Sequence, residues 1–289
     1  MTAAAAESRW SGRRLRSAAM MGVSIAFSAV AVALLALIVG YLAKRGAAGL
    51  SWEFFASDPT GRTDDPGGMR HAIVGTLVLI GMSSVVGVPV GVLTGIYLSE
   101  YGHERWLAAP ARFICDVLAG VPSIVVGVLG YELLVRPLGN YNAWAGAFAL
   151  AFIMVPIVAR TTEEMLRLVP ATYREASLAL GATKSQTILR VVVPAAAGSM
   201  VTGVMLALAR IAGETAPLLF TALGSRLLTL DPSHPFPSLT VQIFEYARGP
   251  YPSQQRLAWT GILVLIGLLL VINLSVRVIA ARMVRRTGL

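Results

Sequence analysis

The sequence predicts an all-helical integral membrane protein with six transmembrane helices. Two features of its composition carry this prediction: 56% of the 289 residues are hydrophobic, and only 13% are charged. A soluble domain carries roughly 25% charged residues. The third observation is that apolar runs long enough to cross a hydrocarbon core of about 30 Å alternate with polar segments. The composition therefore indicates a protein of the lipid bilayer.

The predicted spans form one domain over residues 18–281. The first apolar run, 18–43, is too long for the core of a signal peptide, so we expect it to be a retained span. A tail over 1–17 precedes it, a polar loop over 161–194 separates the fourth span from the fifth, and a tail over 282–289 follows the sixth. The six spans cover about 18–43, 71–99, 113–135, 143–160, 195–222 and 257–281.

The distribution of positive charge predicts how the chain is oriented. Six spans place both termini on one side of the membrane, together with the loop over 161–194. That side holds roughly twice as many Lys and Arg residues as the other side. Because loops rich in Lys and Arg stay in the cytoplasm, we expect a multi-pass protein of the cytoplasmic membrane with both termini cytoplasmic.

Charge and cysteine content exclude several classes of function. The formal net charge is +9, which in a soluble protein would suggest nucleic-acid binding. Here the cytoplasmic excess of Lys and Arg explains it, so we expect the lipid bilayer and no nucleic acid as a partner. The single cysteine, Cys115, excludes an internal disulfide, and the histidines are too far apart in sequence to suggest a metal site.

The sequence also lacks the motifs of an enzyme. Neither Lys44 nor Lys184 follows a glycine, as a Walker A loop requires, so we expect this chain to bind no nucleotide or other cofactor. An intramembrane enzyme would use Glu214, Asp116 or Glu132, but no second catalytic group accompanies them at a fixed spacing. We therefore expect a non-enzymatic subunit, in which Asp116 and Glu132 serve either the membrane interface and packing or transport.

Small residues and prolines predict close helix packing and bending in the second and third spans. Gly87, Gly91 and Gly95 recur at intervals of four, which places them on one helix face and lets another backbone approach closely. Pro89 among them is expected to bend the helix. Pro122 in the third span is assigned to the same packing or hinge class.

The polar loop predicts a short helix on the cytoplasmic side. Thr172 and Glu175 fit a capping box, and Gly181 suits the left-handed residue that ends a helix. An isolated helix this short is unstable, so it must dock. It docks either on its own spans, with Glu175 only as a cap, or on a partner protein. The apolar residues that share one face of this helix are Ala176, Ala179 and Leu180.

The fifth span carries an arginine and a carboxylate four residues apart, Arg210 and Glu214. At about 1.5 Å per residue, Arg210 lies roughly 22 Å into the membrane, where a charge costs at least about 2.5–3.5 kcal/mol. The pair either lines a path for an oxyanion, which a guanidinium fork matches, or locks two helices together. Pro217 cannot donate a hydrogen bond to the carbonyl of Gly213, which predicts a weakened or bent turn.

One motif in the polar loop resembles the EAA loop of ABC importer permeases. The residues Glu175-Ala176-Ser177, then Gly181, and then the segment 191–194 follow its spacing, with Ser177 in place of the third alanine. The resemblance implies the type I ABC importer permease fold. It also implies that this helix seats in a cleft of an ATPase subunit and transmits its closure. The implied ATPase-coupling residues are Glu175, Ala176, Ser177 and Gly181.

Longer segments resemble the phosphate-specific transport permeases. They are AGVPSIVVGVLG (119–130), PIVARTTEEMLRLVPATYREASLALGAT (156–183) and ALARIAGETAPLLFTA (207–222), and GETAPLL resembles the A-type (PstA) subunit. The resemblance implies a permease subunit of an ATP-driven importer of inorganic phosphate. Its implied partners are a second permease subunit of PstC type, an ATPase dimer of PstB type that binds the ATP, and an extracytoplasmic phosphate-binding protein of PstS type. The alternatives are an importer for another oxyanion and a secondary transporter driven by an ion gradient.

Overall fold

The computed structural model describes residues 3–102 and 106–286 of the chain. Within these ranges all regular structure is helical apart from two isolated backbone bridges, which confirms the all-helical prediction. The outermost residues of the two predicted tails, 1–2 and 287–289, lie outside the described residues.

The helices are numbered in chain order, and π-helical turns extend some of them. They are α1 (Ala3–Ala47), α2 (Trp52–Ala56), α3 (Arg70–Ile96), α4 (Ala108–Gly120), α5 (Ser123–Gly130), α6 (Arg136–Leu138), α7 (Ala143–Arg167), α8 (Ala171–Ala179), α9 (Lys184–Thr187), α10 (Val193–Ala212), α11 (Ala216–Thr221), α12 (Leu239–Arg248) and α13 (Pro252–Arg286). The π turns are Tyr97–Tyr101 after α3, Tyr131–Val135 after α5 and Ile188–Val192 before α10.

Five helical runs of the described residues are long and apolar enough to cross a membrane. One run lies within α1, one is α3 with its π turn, one is α7 and one lies within α13. The fifth run is continuous from α9 through α10. The bent pair formed by α4 and α5 makes a sixth if it is counted as one span. This arrangement agrees with six predicted spans, of which the third is broken.

The third predicted span, 113–135, differs in the structure from one continuous helix. The axes of α4 and of the run that starts with α5 meet at 103°. Val121, at the break, has an extended ψ of 131°. Pro122 contributes to the break, because the ring of a proline disfavours the helical conformation for the residue before it and supplies no N–H to the helix.

The segment between α7 and the next long helical run is shorter than the predicted loop over 161–194. α7 continues to Arg167, and the next long helical run begins at Lys184. The predicted N-terminal tail is likewise helical from Ala3 onward and continues into the first span. Polarity marks where a chain leaves the hydrocarbon core, but the backbone hydrogen bonds of a helix continue past that point.

The centre of the molecule is the pair formed by α3 and α7. A Cβ atom added to Gly91 would lie 2.6 Å from Cβ of Val158, and one added to Gly87 would lie 2.8 Å from Sδ of Met154. Val158 and Met154 are fully buried. The glycines of α3 therefore let α7 approach its backbone, with Gly95 packed in the same way against Thr162. α7 also contacts α4, α5, α10 and α11.

α1 packs at the periphery, against α13. The rings of Tyr41 and Trp259 meet edge to face at a centroid distance of 5.6 Å. Gly46 is buried against Leu263, and the hydroxyl of Thr260 donates a hydrogen bond to its carbonyl at 2.9 Å. Residues 16–41 of α1 are exposed. This leaves α7 as the helix around which the other spans are arranged.

Candidate functional site

The fifth predicted span, 195–222, is interrupted along its length. α10 stops at Ala212, and the N–H groups of Gly213 and Glu214 turn back to the carbonyls three residues earlier, at 3.4 and 3.2 Å. α11 then begins at Ala216 with Pro217 in its first turn. The bent turn expected from Gly213 and Pro217 is therefore a complete interruption of the helix. Whether it acts as a hinge stays a prediction.

The predicted charged pair lies at this interruption. Nε of Arg210 is 3.2 Å from Oε1 of Glu214. The Arg210 side chain is 55% exposed, whereas that of Glu214 is only 12% exposed. Among the described residues, Glu214 is the carboxylate within ion-pair distance of Arg210. The guanidinium group of Arg210 is therefore partly exposed, and it is held in position by its ion pair with the less exposed carboxylate of Glu214.

Two neighbouring elements fix the backbone of the interruption. The hydroxyl of Thr240 in α12 donates a hydrogen bond to the carbonyl of Glu214 at 2.9 Å. On the other side, α5 approaches so closely that a Cβ atom added to Gly127 would lie 2.7 Å from Cα of Pro217. The position of the charged pair thus depends on the broken third span as well as on the fifth.

The geometry bears on the two interpretations of the pair. Both residues belong to the end of one helix and its continuation, so the ion pair does not lock two spans together. A half-exposed guanidinium group can instead offer charge-assisted hydrogen bonds to an oxyanion. A role of Arg210 and Glu214 in a translocation path stays a prediction.

The predicted cytoplasmic helix is α8, but its first residues differ from the prediction. α8 begins at Ala171 after Pro170, and no side chain caps its first turn. The capping box expected from Thr172 and Glu175 is therefore wrong, because both residues already lie inside the helix. Gly181 has a φ of +83°, which confirms the left-handed residue expected after the helix.

A capping box does occur at the next helix. The Thr183 side chain accepts the N–H of Gln186 at 3.3 Å, and the Gln186 side chain accepts the N–H of Thr183 at 3.0 Å. A Thr followed three residues later by Gln was a signal available in the sequence. It starts the long helical run that leads through α10 to Arg210.

The apolar face of α8 is not covered by the spans of this chain. α8 has no buried residue; Ala176 and Ala179 are exposed, and Leu180 just after the helix is 89% exposed. The interpretation in which this face docks on its own spans is therefore wrong. Glu175 is exposed as well, whereas the hydroxyl of Ser177 is 2.9 Å from that of Thr187 and ties α8 to α9.

A buried ion pair that sequence reasoning missed anchors α8 to the membrane domain. Nη2 and Nε of Arg174 donate to the two carboxylate oxygens of Glu100, at 2.6 and 3.1 Å. Arg174 also donates to the carbonyls of Val169 and Leu166, at 2.8 and 3.0 Å. The sequence held no signal for this pair, since 74 residues separate its members.

A second cluster of charges connects α4 with the C-terminal part of α7. Oε1 of the buried Glu163 accepts hydrogen bonds from Nε of Arg112 at 2.7 Å and from Nη2 of Arg167 at 2.6 Å. Arg160 pairs with Asp116 of α4 and with Glu164, the latter at 3.2 Å. These residues line a cavity of about 150 Å³. The cluster joins the two helices by opposite charges in equal number.

The acidic residues considered for an enzyme are all paired with arginine. Asp116 pairs with Arg160, Glu214 with Arg210, and Glu132 with Arg136 at 2.7 Å on an exposed surface. Within the described ranges, no group of three or more His, Cys, Asp and Glu residues is placed to hold a metal ion. The arrangement is one of ion pairs rather than of an acid and base around a common point.

Comparison with known proteins was made on the sequence and on the fold. A family model described as binding-protein-dependent transport system inner membrane component matches residues 87–288. The phosphate transport system permease protein PstA of Yersinia pestis is 44% identical over 238 residues, which are 82% of this chain and 81% of the relative. The protein of the same name from Haemophilus influenzae is 39% identical over 269 residues, or 93% of this chain and 95% of the relative.

More distant matches agree with these. The probable phosphate transport system permease protein PstA of Methanocaldococcus jannaschii is 35% identical over 212 residues, which are 73% of this chain and 75% of the relative. A solved structure of the inward-facing MetNI methionine ABC transporter covers 75% of this chain and 93% of its own, with a TM-score of 0.54 and 22% identity. This last likeness concerns the fold alone.

Proposed function

The chain belongs to the family of binding-protein-dependent transport system inner membrane components, within its phosphate transport permeases of PstA type, and on this premise we propose that it translocates inorganic phosphate. It is a multi-pass membrane subunit with the type I ABC importer permease fold, as predicted from the sequence. The likenesses give no support to a secondary transporter or to an importer of another oxyanion.

The observation that carries the proposed mechanism is the half-exposed guanidinium group of Arg210 at the interrupted helix. Arg210 attracts the phosphate anion and forms charge-assisted hydrogen bonds to its oxygens. Glu214 holds Arg210 in position while the path is empty. Because a protonated phosphate carries a hydroxyl, Glu214 also accepts a hydrogen bond from it, which sulfate cannot offer.

The exposed face of α8 supports the proposal for coupling. Glu175, Ala176 and Gly181 lie on the free side of the segment that resembles the EAA loop. Ser177 adds the tie to α9 through Thr187. An ATPase subunit that seats against this face moves α8 when it closes. ATP is bound and hydrolysed by that partner, and this chain binds no cofactor of its own.

The proposed assembly contains a second permease subunit of PstC type, an ATPase dimer of PstB type and an extracytoplasmic phosphate-binding protein of PstS type. Both termini of this chain and α8 lie in the cytoplasm, in line with the bias of Lys and Arg along the sequence. We place the broken third span and the interrupted fifth span within the membrane because of the apolar runs of the sequence.

Co-purification and transport test this function together. The protein is purified in detergent, co-purifying subunits are identified, and the complex is reconstituted in vesicles with the phosphate-binding protein. We expect uptake of radioactive phosphate that requires ATP and resists competition by sulfate. A preparation without an ATPase subunit, or uptake that follows an ion gradient without ATP, would contradict the proposal.

A further inference from the structure

We propose that Arg174 and Glu100 form a mechanical joint that transmits the movement of α8 directly to the second span. The joint rests on the proposed function, because it gives the ATPase a noncovalent route into the membrane domain besides the two covalent ones, through α7 before α8 and through α9 and α10 after it. In this role Arg174 and Glu100 are positioning residues, and neither contacts the substrate.

The joint has the geometry of a firm contact. The guanidinium group binds both carboxylate oxygens of Glu100, at 2.6 and 3.1 Å, and such forked pairs are specific in direction as well as strong. The side chain of Glu100 is 7% exposed and that of Arg174 is 25% exposed. A pair so shielded from water is weakened little by salt, and loss of one partner leaves the other charge buried.

Arg174 is suited to this role because α8 has few other attachments. α8 buries none of its own residues, so apolar packing does not fix its position. Arg174 donates to Glu100 and to the carbonyls of Leu166 and Val169 at the end of α7. The hydrogen bond between the hydroxyls of Ser177 and Thr187 connects α8 only with α9. A displacement of α8 therefore pulls on Glu100 as directly as on α9.

From Glu100, a displacement of α8 can reach α3, α4 and α7 through neighbouring hydrogen bonds and ion pairs. It lies in the π turn that ends the second span, and π turns are irregular points of a helix that often accompany function. In this turn the carbonyl of Leu98 accepts a hydrogen bond from Arg112 at 2.7 Å. Arg112 in turn binds Glu163 of α7 at 2.7 Å. The contacts thus connect α8 with α3, α4 and α7 without interruption.

The experiment measures phosphate transported per ATP hydrolysed by the reconstituted complete complex. Variants are Arg174→Ala, Glu100→Gln, Arg174→Lys and the double variant Arg174→Ala/Glu100→Gln. The matched control is Arg62→Ala, which removes an arginine from a fully exposed ion pair with Asp64. Binding of the ATPase subunit is quantified in parallel, because a merely structural role would reduce it.

We expect Arg174→Ala and Glu100→Gln to keep the ATPase bound and to lower the ratio roughly tenfold, within the range by which contacts along a coupling network change it. Arg174→Lys restores part of the ratio, and the double variant is no worse than the poorer single one, because both residues act in one contact. Arg62→Ala keeps the wild-type ratio.

A wild-type ratio in both Arg174→Ala and Glu100→Gln would overturn the joint, and so would loss of the ATPase subunit from these two variants. Full additivity in the double variant would also overturn it, since the residues would then act separately. Failure of the proposed function is distinguishable, because the wild-type complex itself would then show no ATP-driven phosphate uptake.

Discussion

Arg210 and Glu214 remain an ion pair, with Nε and Oε1 3.2 Å apart, although the helix that carries Arg210 ends between them at Ala212. Arg210 is still part of α10 and its side chain is 55% exposed, whereas Glu214 follows the end of that helix and its side chain is only 12% exposed. The two members of the pair therefore lie on different sides of the break and differ in how far their side chains are exposed.

Removal of the Arg210 charge is expected to stop transport without disturbing assembly. Arg210→Ala removes charge-assisted hydrogen bonds, each worth about 1.5–3 kcal/mol, so phosphate uptake should fall by about 10–100-fold or more. Arg210→Lys, which keeps the charge but loses the fork, should retain an intermediate rate. Uptake of radioactive phosphate and co-purification of the partner subunits are the measurements. Loss of assembly in Arg210→Ala would favour a structural pair.

Glu175 is expected to act on the partner and not on the stability of α8. It is exposed and caps no helix end. Glu175→Ala should therefore leave the protein in the membrane with its thermal stability unchanged, while phosphate transported per ATP hydrolysed falls severalfold. The exposed Glu53 of α2, in the loop predicted to lie on the opposite side of the membrane from α8, offers the control Glu53→Ala. Normal coupling in Glu175→Ala would contradict the docking of α8 on an ATPase.

The left-handed turn at Gly181 is expected to be required for coupling. Gly181→Val places a β-branched side chain at a φ of +83° and costs about 1–2 kcal/mol of local strain, although the space around it is open. The strain displaces α8 relative to α9, so coupling between ATP hydrolysis and uptake should be lost.

Gly139 supplies a matched control for that variant. Its φ is +75° and its surroundings are equally open, but it lies in the loop before α7, at the opposite end of α7 from α8. Gly139→Val carries the same backbone strain and should keep normal coupling. Equal loss of coupling in both variants would mean that strain alone, and not the position of α8, causes the defect.

Packing of α3 against α7 is expected to tolerate no side chain at Gly91. Gly91→Leu would overlap Val158 and the carbonyl of Val155, so it should destabilise the protein by about 1–3 kcal/mol or more. The control Gly81→Leu lies on the same helix with open space around it and should behave as wild type. Thermal unfolding in detergent measures both. Similar melting temperatures for the two variants would contradict close approach at Gly91.

The sequence predicted much of the fold because hydrophobic length and small-residue spacing are local signals. The glycines of α3, the left-handed Gly181 and the interruption beside Gly213 and Pro217 follow from backbone chemistry within a few residues. The capping box at Thr172 was misplaced because the N-cap position falls on Pro170, two residues earlier, so Thr172 and Glu175 both lie inside α8.

The sequence by itself determined that this protein lies in a membrane, which family it resembles and which residues carry charge inside the fifth span. Tertiary structure alone decided which of these charges are open and which are buried. It brings Glu100 into an ion pair with Arg174, 74 residues away in the sequence, and Glu163 into an ion pair with Arg112, 51 residues away. It also left the apolar face of α8 uncovered. The physical reason is that periodicity and turn chemistry act over a few residues, whereas burial and ion pairing depend on helices that meet only after the chain has packed.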